Sequence, residues 1–526
     1  MTGLYRRTRA ALARISPGRA RAVGVLLLLL ALGGWAYASP VGASPDEDYH
    51  LASIWCSHGS EPGRCEPGSA PDRRLVPAEF PDEIVCYRWE PTQSAACQPP
   101  VSGDLVDTDR GNFAGMYPPV FYWVNGLFVG DSVSVSVLAM RLFNTLLFLA
   151  LVVAVYLLVP PGLRRAMVAA SVVTAVPLGV FLIPSINPSA WAITSAATYL
   201  VSLLGYLTVA DRRRMIALGA LAAVSLLLGA GARADAAAYA VIATVAALVL
   251  VWRRRGGVSW RRLLLPGVLA TVAVGFYLST GQSVAVDPGA TTQPHSLNRL
   301  VHTVLDIPAL WIGAVGAPGP QHDFEPGYPW GLGWMDTPLP SVVWLGGWTI
   351  LVLVLVVALA GATRRRLLAV GLVGAGVVAI PAYAQYLMAV PVGGMIQPRY
   401  VLPLLTVLAL VAMVRLDGTP LRLTPTQRAT VVGLLSLTHA LSLHTNLRRY
   451  LGGLDVTNWN LNSHVEWWWS VPFSPMVLWL VTSAAFAGAL ALLTAELAAP
   501  APAAADAPAA EAARVGAHRR DEAVAV

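Results

Sequence analysis

The chain has 526 residues, of which 56% are hydrophobic and only 12% are charged, and its formal net charge is +7. A soluble domain usually carries about 25% charged residues, so this composition excludes an ordinary soluble protein and indicates one embedded in a lipid bilayer. All the basic residues are arginines, and their clusters lie beside apolar runs. They are explained by anchoring in a membrane and give no reason to expect nucleic acid as a partner.

Apolar runs long enough to cross about 30 Å of hydrocarbon recur along most of the chain. Their lengths predict an all-α polytopic membrane protein with about twelve transmembrane helices. The predicted spans lie near 22–38, 133–159, 166–184, 189–209, 215–230, 236–252, 263–280, 341–361, 367–390, 400–416, 429–446 and 471–496.

The arginine clusters predict the orientation of these spans. If the spans alternate, the arginine clusters at 6–21, 164–165, 212–214, 253–262, 364–366, 415–428 and 519–520 all lie on the side of the N-terminus. The positive-inside rule makes that side cytoplasmic. We therefore expect a multi-pass protein of the plasma membrane with both termini in the cytoplasm. The predicted parts are a basic N-terminal segment (1–21), a transmembrane domain (22–498) with large extracytoplasmic loops at 39–131 and 281–340, and a disordered Ala/Pro-rich tail (499–526).

The start of the chain has a second interpretation. Arginines, an apolar stretch and Ala36-Tyr37-Ala38 also fit a cleaved signal peptide. The long basic segment and the spans that follow favour a retained first helix.

The four cysteines, Cys56, Cys65, Cys86 and Cys97, all lie in the loop 39–131. An even number confined to one extracytoplasmic loop predicts two disulfides. Cys56–Cys65 with Cys86–Cys97 is the local pairing, although three pairings are open. A zinc site is the alternative, and the absence of CxxC spacing weighs against it.

An acidic cluster with a histidine, Asp46-Glu47-Asp48 and His50, follows the first span. It is either a solvated start of a loop or a catalytic site just outside the membrane. As a catalytic site it offers Asp46 as the general base, with Glu47 or Asp48 as alternates. General-base catalysis by a carboxylate requires no cofactor. The oxygen-rich cluster could also bind Mg²⁺ or Mn²⁺.

Further polar and aromatic residues lie at the outer ends of the predicted spans. We expect substrate-binding residues among Asp48, His50, Tyr117, Arg141, Asn187, Trp334, Asp336, Gln397, Arg399 and Tyr400. Tyr117 begins an aromatic stretch that is either an interfacial belt or an apolar lip for a lipid tail. Arg399 is either a headgroup-level anchor or a phosphate ligand. Arg233 and Asp235 are better explained as a buried structural ion pair.

Five of these segments occur in the same order in a known family. They are SPDEDYH after the first span, YPP before the second, INPS between the third and fourth, LGWMDTPLP before the eighth, and QPRY before the tenth. On these motifs the chain resembles, over roughly 22–450, the bacterial membrane-protein family catalogued as domain of unknown function 2142. LGWMDTPLP is the most specific of them. That family is in turn similar in architecture to GT-C glycosyltransferases.

The GT-C similarity implies a function. Such enzymes take a sugar from a polyprenyl-phosphate donor and keep an essential acidic residue in the first outer loop. Asp46 would then deprotonate the acceptor, an envelope glycan or glycolipid, in an inverting displacement, and Arg399 would hold the phosphate. The alternatives are a flippase or transporter of lipid-linked sugars and a non-catalytic envelope-assembly protein. Polar clusters at helix ends and the absence of a visible internal repeat favour the enzyme over the transporter.

Overall fold

A computed structural model describes residues 17–100, 102–252, 259–283, 296–317, 330–388, 392–393, 396–416 and 421–498. Much of the basic N-terminal segment, part of the loop 281–340 and the whole tail 499–526 lie outside the described residues. Most of the described chain is helical and forms one bundle, which confirms the predicted all-α fold class.

Nine described helices are long and apolar enough to cross a membrane. They are α1 (Pro17–Tyr37), α4 (Val133–Leu158), α7 (Pro188–Thr208), α8 (Arg212–Ala230), α9 (Ala234–Val251), α10 (Trp260–Leu278), α13 (Ser341–Leu359), α14 (Arg364–Met388) and α17 (Pro475–Leu493). A multi-pass membrane protein is thereby confirmed.

The remaining three predicted spans correspond to helices of another kind. The span at 166–184 is wrong as a single helix: it is broken into α5 (Pro161–Thr174) and α6 (Pro177–Leu182). Pro177 explains the break, because proline has no N–H to continue α5. The other two are α15 (Pro398–Met413), which is short, and α16 (Pro425–Leu451), which is long but carries buried polar side chains.

Local capping fixes where several of these helices begin. Thr424 forms a capping box with Gln427 at the start of α16, and Asn187 accepts a hydrogen bond from the Ser189 N–H at the start of α7. Each cap satisfies a backbone donor that the first helical turn leaves open. Since helices α7 and α15 begin near the acidic cluster, their first turns deliver Asn187 and Arg399 to it.

Helix α7 lies at the centre of the bundle and is buried along nearly its whole length. It packs against α8, α9 and α15, while α1 packs against α17 and α4. Helix α1 ends at the same end of the bundle at which α4, α7 and α15 begin. We call this end of the bundle the 'loop end'.

The first large loop is folded over the loop end. It contains α2 (Glu47–Trp55), α3 (Val120–Gly126) and a small antiparallel sheet of β1 (Glu66–Pro67), β2 (Arg74–Pro77) and β3 (Leu105–Thr108). Strand β2 lies in the middle, with Leu75 opposite Asp107 in the β2–β3 register. This sheet was not predicted, since its strands are only two to four residues long.

Two disulfides fasten this loop, Cys56–Cys65 and Cys86–Cys97. The local pairing is therefore confirmed, and the zinc alternative for these cysteines is excluded. The described part of the second loop contains α11 (Leu297–Asp306), α12 (Pro308–Ala314) and a tight turn in which Leu332 pairs with Thr337.

Candidate functional site

Asp46 lies at the N-terminus of α2, facing two arginines from distant parts of the chain. Its Oδ2 lies 2.6 Å from Nη2 of Arg399, and its Oδ1 lies 3.5 Å from Nη2 of Arg110. The Asp46 side chain remains 30% exposed. Its backbone φ is +60°, a left-handed conformation that costs a non-glycine residue about 1–3 kcal/mol and that recurs at functional sites.

The charge state of Asp46 follows from these neighbours. Burial alone would raise the pKa of its carboxyl, but the charges of Arg399 and Arg110 hold that pKa below its usual range. Asp46 is therefore an ionised carboxylate at neutral pH, with an accessible edge.

Glu47 occupies a different environment, although it is the next residue. It is fully buried, and its Oε1 lies 3.1 Å from Nη2 of Arg141. Its Oε2 accepts a hydrogen bond from the Ser44 N–H at 2.9 Å. Arg141 also donates to the Ser39 and Pro40 carbonyls, both at 2.6 Å. Glu47 and Arg141 thus join α2, α4 and the end of α1, and Glu47 has no open surface on which to meet a substrate.

Asp48 is buried between two arginines of the same loop. Arg110 donates to both of its oxygens, at 2.9 and 3.1 Å, and Nη1 of Arg88 lies 3.6 Å from Oδ2. Burial raises the pKa of the Asp48 carboxyl in spite of the pair with Arg110. Since Arg110 contacts both Asp48 and Asp46, it couples the two carboxylates.

His50 lies among aromatic rings beneath Asp46. Its Nδ1 is 3.0 Å from the Tyr122 hydroxyl, and the ring of Tyr117 packs against it edge-on. Burial lowers the pKa of His50 to about 3, so the imidazole is neutral at physiological pH. A neutral, enclosed imidazole can orient its neighbours but carries no charge for binding a phosphate.

Arg399 has hydrogen-bonding capacity that the described residues leave unused. Its Nη2 donates to Asp46 and, at 2.8 Å, to the Tyr400 hydroxyl, whereas its buried Nε and Nη1 have no partner among the described residues. The Gln397 Oε1, in the same first turn of α15, is also buried without a partner there. Buried donors without partners are costly, and they indicate a place for a ligand.

A second guanidinium stands close by. Arg233 lies over the Tyr400 ring at 4.3 Å and over the Tyr117 ring at 5.7 Å. It is paired with Asp235 through contacts of 2.9 and 2.8 Å, in line with the predicted structural ion pair. The site around Tyr400 is therefore cationic on two sides.

Asn187 acts on the backbone that carries the acidic cluster. Its side-chain amide donates to the Pro45 carbonyl at 2.7 Å, directly before Asp46. Both ends of the amide are occupied, because its oxygen caps α7. Asn187 therefore positions Asp46, and no free polar group of it faces a ligand.

Trp334 and Asp336 connect the second loop to the first. The Trp334 indole N–H donates to the Gly42 carbonyl at 2.9 Å, and the ring is only 5% exposed. Asp336 accepts from Nη2 of Arg449 at 3.0 Å and from the Trp89 N–H at 3.0 Å. Both residues are thus buried in contacts between loops, where they position the segments on either side of the acidic cluster.

The structure brings most of the predicted residues into one region at the loop end, and it adds some that the sequence reasoning missed. Arg88, Arg110 and Arg449 complete the network. A signal for the first two was present: a loop outside the membrane is normally poor in arginine, so arginines in 39–131 suggest partners for its carboxylates. Arg449 had no such signal, because it ends a long helix.

No group of three or more His, Cys, Asp or Glu side chains suited to a metal ion occurs among the described residues. The carboxylates of Asp46 and Asp48 face arginines instead. The cluster therefore fits charge pairing better than it fits the Mg²⁺ or Mn²⁺ option.

The family model described as "Predicted membrane protein (DUF2142)" matches residues 28–408. This match covers well over half of the chain, which therefore belongs to that family, as its motifs predicted. A search of the curated proteins finds no match. The solved structures likewise contain none, so the GT-C similarity stays a prediction.

Proposed function

We propose that this protein is an inverting membrane glycosyltransferase that moves a sugar from a polyprenyl-phosphate donor to an envelope glycan or glycolipid. The site is assigned to the extracytoplasmic face. The observation that carries the proposal is the Asp46–Arg399 pair, in which an accessible carboxylate touches a buried guanidinium. Two nitrogens of that guanidinium have no partner in the part of the chain that the structure describes. The two groups match the two ends of the reaction, a base for the acceptor and a cation for the phosphate.

The reaction is a single displacement. Asp46 takes the proton from the acceptor hydroxyl while that oxygen bonds to the anomeric carbon of the donor sugar. The bond from that carbon to the phosphate oxygen breaks, and polyprenyl phosphate leaves with the electron pair. Nη1 of Arg399, which has no partner among the described residues, donates hydrogen bonds to the phosphate oxygens and stabilises the negative charge that develops on them. Because Nη2 of Arg399 also contacts Asp46, one guanidinium fixes the distance between base and leaving group.

A lipid-borne donor is supported by the apolar surface beside the site. Met116, Trp123 and Leu127 are exposed large apolar side chains around α3, and they flank Tyr117 in sequence. At the loop end of a membrane bundle, such a surface can receive an isoprenoid chain while the phosphate reaches Arg399.

The test is linkage analysis of the envelope glycans in a deletion strain complemented with variants. We expect one defined linkage to disappear in the deletion strain, to return with the wild type, and to stay absent with Asp46→Asn. Loss of a general base lowers the rate by about 10²–10⁴-fold. The matched control is Asp104→Asn, since Asp104 is an exposed carboxylate of the same loop.

Two outcomes would overturn the proposal. Full restoration by a stably expressed Asp46→Asn protein removes Asp46 as the base. An unchanged linkage profile in the deletion strain argues against a transferase and favours the flippase or the assembly protein.

A further inference from the structure

Trp89 is an exposed aromatic residue held in an unusual backbone conformation beside the acidic cluster. Its φ is +64°, which a residue with a bulky side chain rarely adopts. The residue as a whole is 47% exposed. A strained backbone that presents a large apolar ring to solvent calls for a reason in binding.

The family motif in the second loop helps to maintain this conformation. The Trp89 N–H donates to Oδ2 of Asp336 at 3.0 Å, and the same oxygen accepts from Arg449 at 3.0 Å. Arg449 also donates to the Tyr87 carbonyl at 2.6 Å. With the disulfide Cys86–Cys97 closing the segment, Trp89 is fixed on a rigid support.

The Trp89 ring lies beside a guanidinium and a second indole. The Arg88 guanidinium lies 4.5 Å from the centre of the Trp89 ring and 5.1 Å from that of Trp334. Arg88 also lies 3.5 Å from the carboxylate of Asp82, which is 83% exposed. Arg88 thus covers one face of Trp89, and the accessible part of the ring adjoins an exposed carboxylate and a guanidinium.

This combination is complementary to a sugar. A sugar ring has an apolar face of C–H groups, which packs on the electron-rich face of an indole. Its hydroxyls point outward and form hydrogen bonds with carboxylates and guanidinium groups. A choline or ethanolamine headgroup lacks the apolar ring face, and a peptide does not require the adjacent charged pair.

We propose that Trp89, Arg88 and Asp82 form the subsite that binds a neutral sugar unit of the acceptor glycan. This inference rests on the proposed function for the role of that glycan as acceptor. A chain of ion contacts links the subsite to the base: Arg88 to Asp48 at 3.6 Å, Asp48 to Arg110 at 2.9 Å, and Arg110 to Asp46 at 3.5 Å. Arg110 contacts the Oδ1 of Asp46 and Arg399 contacts the Oδ2. The acceptor is therefore assigned to the Oδ1 side of the Asp46 carboxylate and the donor to its Oδ2 side.

The experiment measures binding without catalysis. Full-length Asp46→Asn protein in nanodiscs, free of sugar-based detergent, is titrated by calorimetry with soluble oligosaccharides of glucose, galactose, mannose and arabinose. We expect at least one of these probes to bind, and Trp89→Ala in the same background to weaken that binding at least 10-fold. Trp89→Phe should retain part of it, because a smaller aromatic face remains.

Trp459→Ala is the matched control. Trp459 is 62% exposed and packs against His444, outside the proposed subsite, so its loss should leave binding unchanged. Thermal unfolding of every variant separates lost binding from lost folding.

The proposal is overturned if folded Trp89→Ala protein binds as its parent does, or if no probe binds the parent. It can fail separately from the proposed function. If binding depends on Trp89 but Asp46→Asn fully restores the linkage in cells, the subsite stands and Asp46 is not the base. The protein would then bind sugar and either use a different base or catalyse no transfer itself. An inactive Asp46→Asn protein with Trp89-independent binding would leave a transferase whose acceptor lies elsewhere.

Discussion

Asp46 and Arg399 show how two charged side chains can serve both structure and chemistry. The carboxylate is ionised because guanidinium groups face it, and Arg399 is only partly used by the protein. A salt bridge built only for stability would use more of its donors, since buried unused donors cost free energy. The pair is therefore better explained as half of a site whose other half is a ligand.

Arg110→Gln should shift the pH dependence of transfer. Arg110 helps to keep the pKa of Asp46 low, so its removal raises that pKa. Asp46 acts as a base only when it is ionised. As the pH is lowered, Arg110→Gln should therefore lose activity at a higher pH than the wild type does.

The measurement is kcat/KM against pH for the wild type and Arg110→Gln, with Arg73→Gln as the control in the same loop. If activity falls at the same acidic pH in the wild type and in Arg110→Gln, the assignment of Asp46 as the base is contradicted.

Asp46 and Arg399 could be selected from the sequence as candidate site residues. Each is charged, Asp46 follows an apolar run, and Arg399 stands at the start of one. Their neighbours could not be sorted in the same way. Asp46, Glu47 and Asp48 are consecutive, yet one is accessible and two are buried against different arginines. That division depends on the rotation of α2 and on the side chains packed around it, which the local sequence does not specify.

At the scale of elements, the buried pair Glu47–Arg141 holds three helices together. Arg141 comes from α4, Glu47 from α2, and the carbonyls that Arg141 binds lie at and after the end of α1. An arginine inside an apolar helix is expensive unless it is paired. Here the pairing joins the first loop to the bundle.

Glu47→Gln should destabilise the fold. Removing the carboxylate leaves the Arg141 charge buried without its counter-charge, which costs about 3–5 kcal/mol of unfolding free energy. The measurement is the midpoint of thermal unfolding in nanodiscs, with Glu90→Gln, an exposed residue of the same loop, as the control. Wild-type stability with abolished transfer would instead indicate that Glu47, the alternate base, acts in catalysis.

Helix positions were largely predictable, because an apolar run of sufficient length has few alternatives in a membrane. The break between α5 and α6 was not, although Pro177 lies at it. Membrane helices tolerate proline, as Pro266 inside α10 and Pro381 inside α14 illustrate. Proline alone therefore does not identify a break. The short strands of the first loop were missed because two to four residues carry no readable alternation.

At the scale of the whole molecule, the proposed orientation can be tested by labelling. All four native cysteines are in disulfides, so an introduced thiol gives a clean signal. Thr457→Cys, exposed in the segment between α16 and α17, should react with a membrane-impermeant maleimide in intact cells. Arg213→Cys, exposed at the start of α8, should react only after permeabilisation. The reverse pattern would place the acidic cluster in the cytoplasm, where a lipid-linked donor is not needed.

Asp46 and Arg399 are in contact although they are far apart in sequence, so this contact can form only late in biosynthesis. The two residues are 353 positions apart, so at 5–20 residues per second the ribosome delivers Asp46 roughly 20–70 s before Arg399. During that interval most of the bundle is already being inserted, while Asp46 lacks the partner that fixes it. Under the proposed function, a nascent or truncated chain therefore presents no complete site to lipid-linked sugars, and sugar transfer begins only after α15 has been inserted.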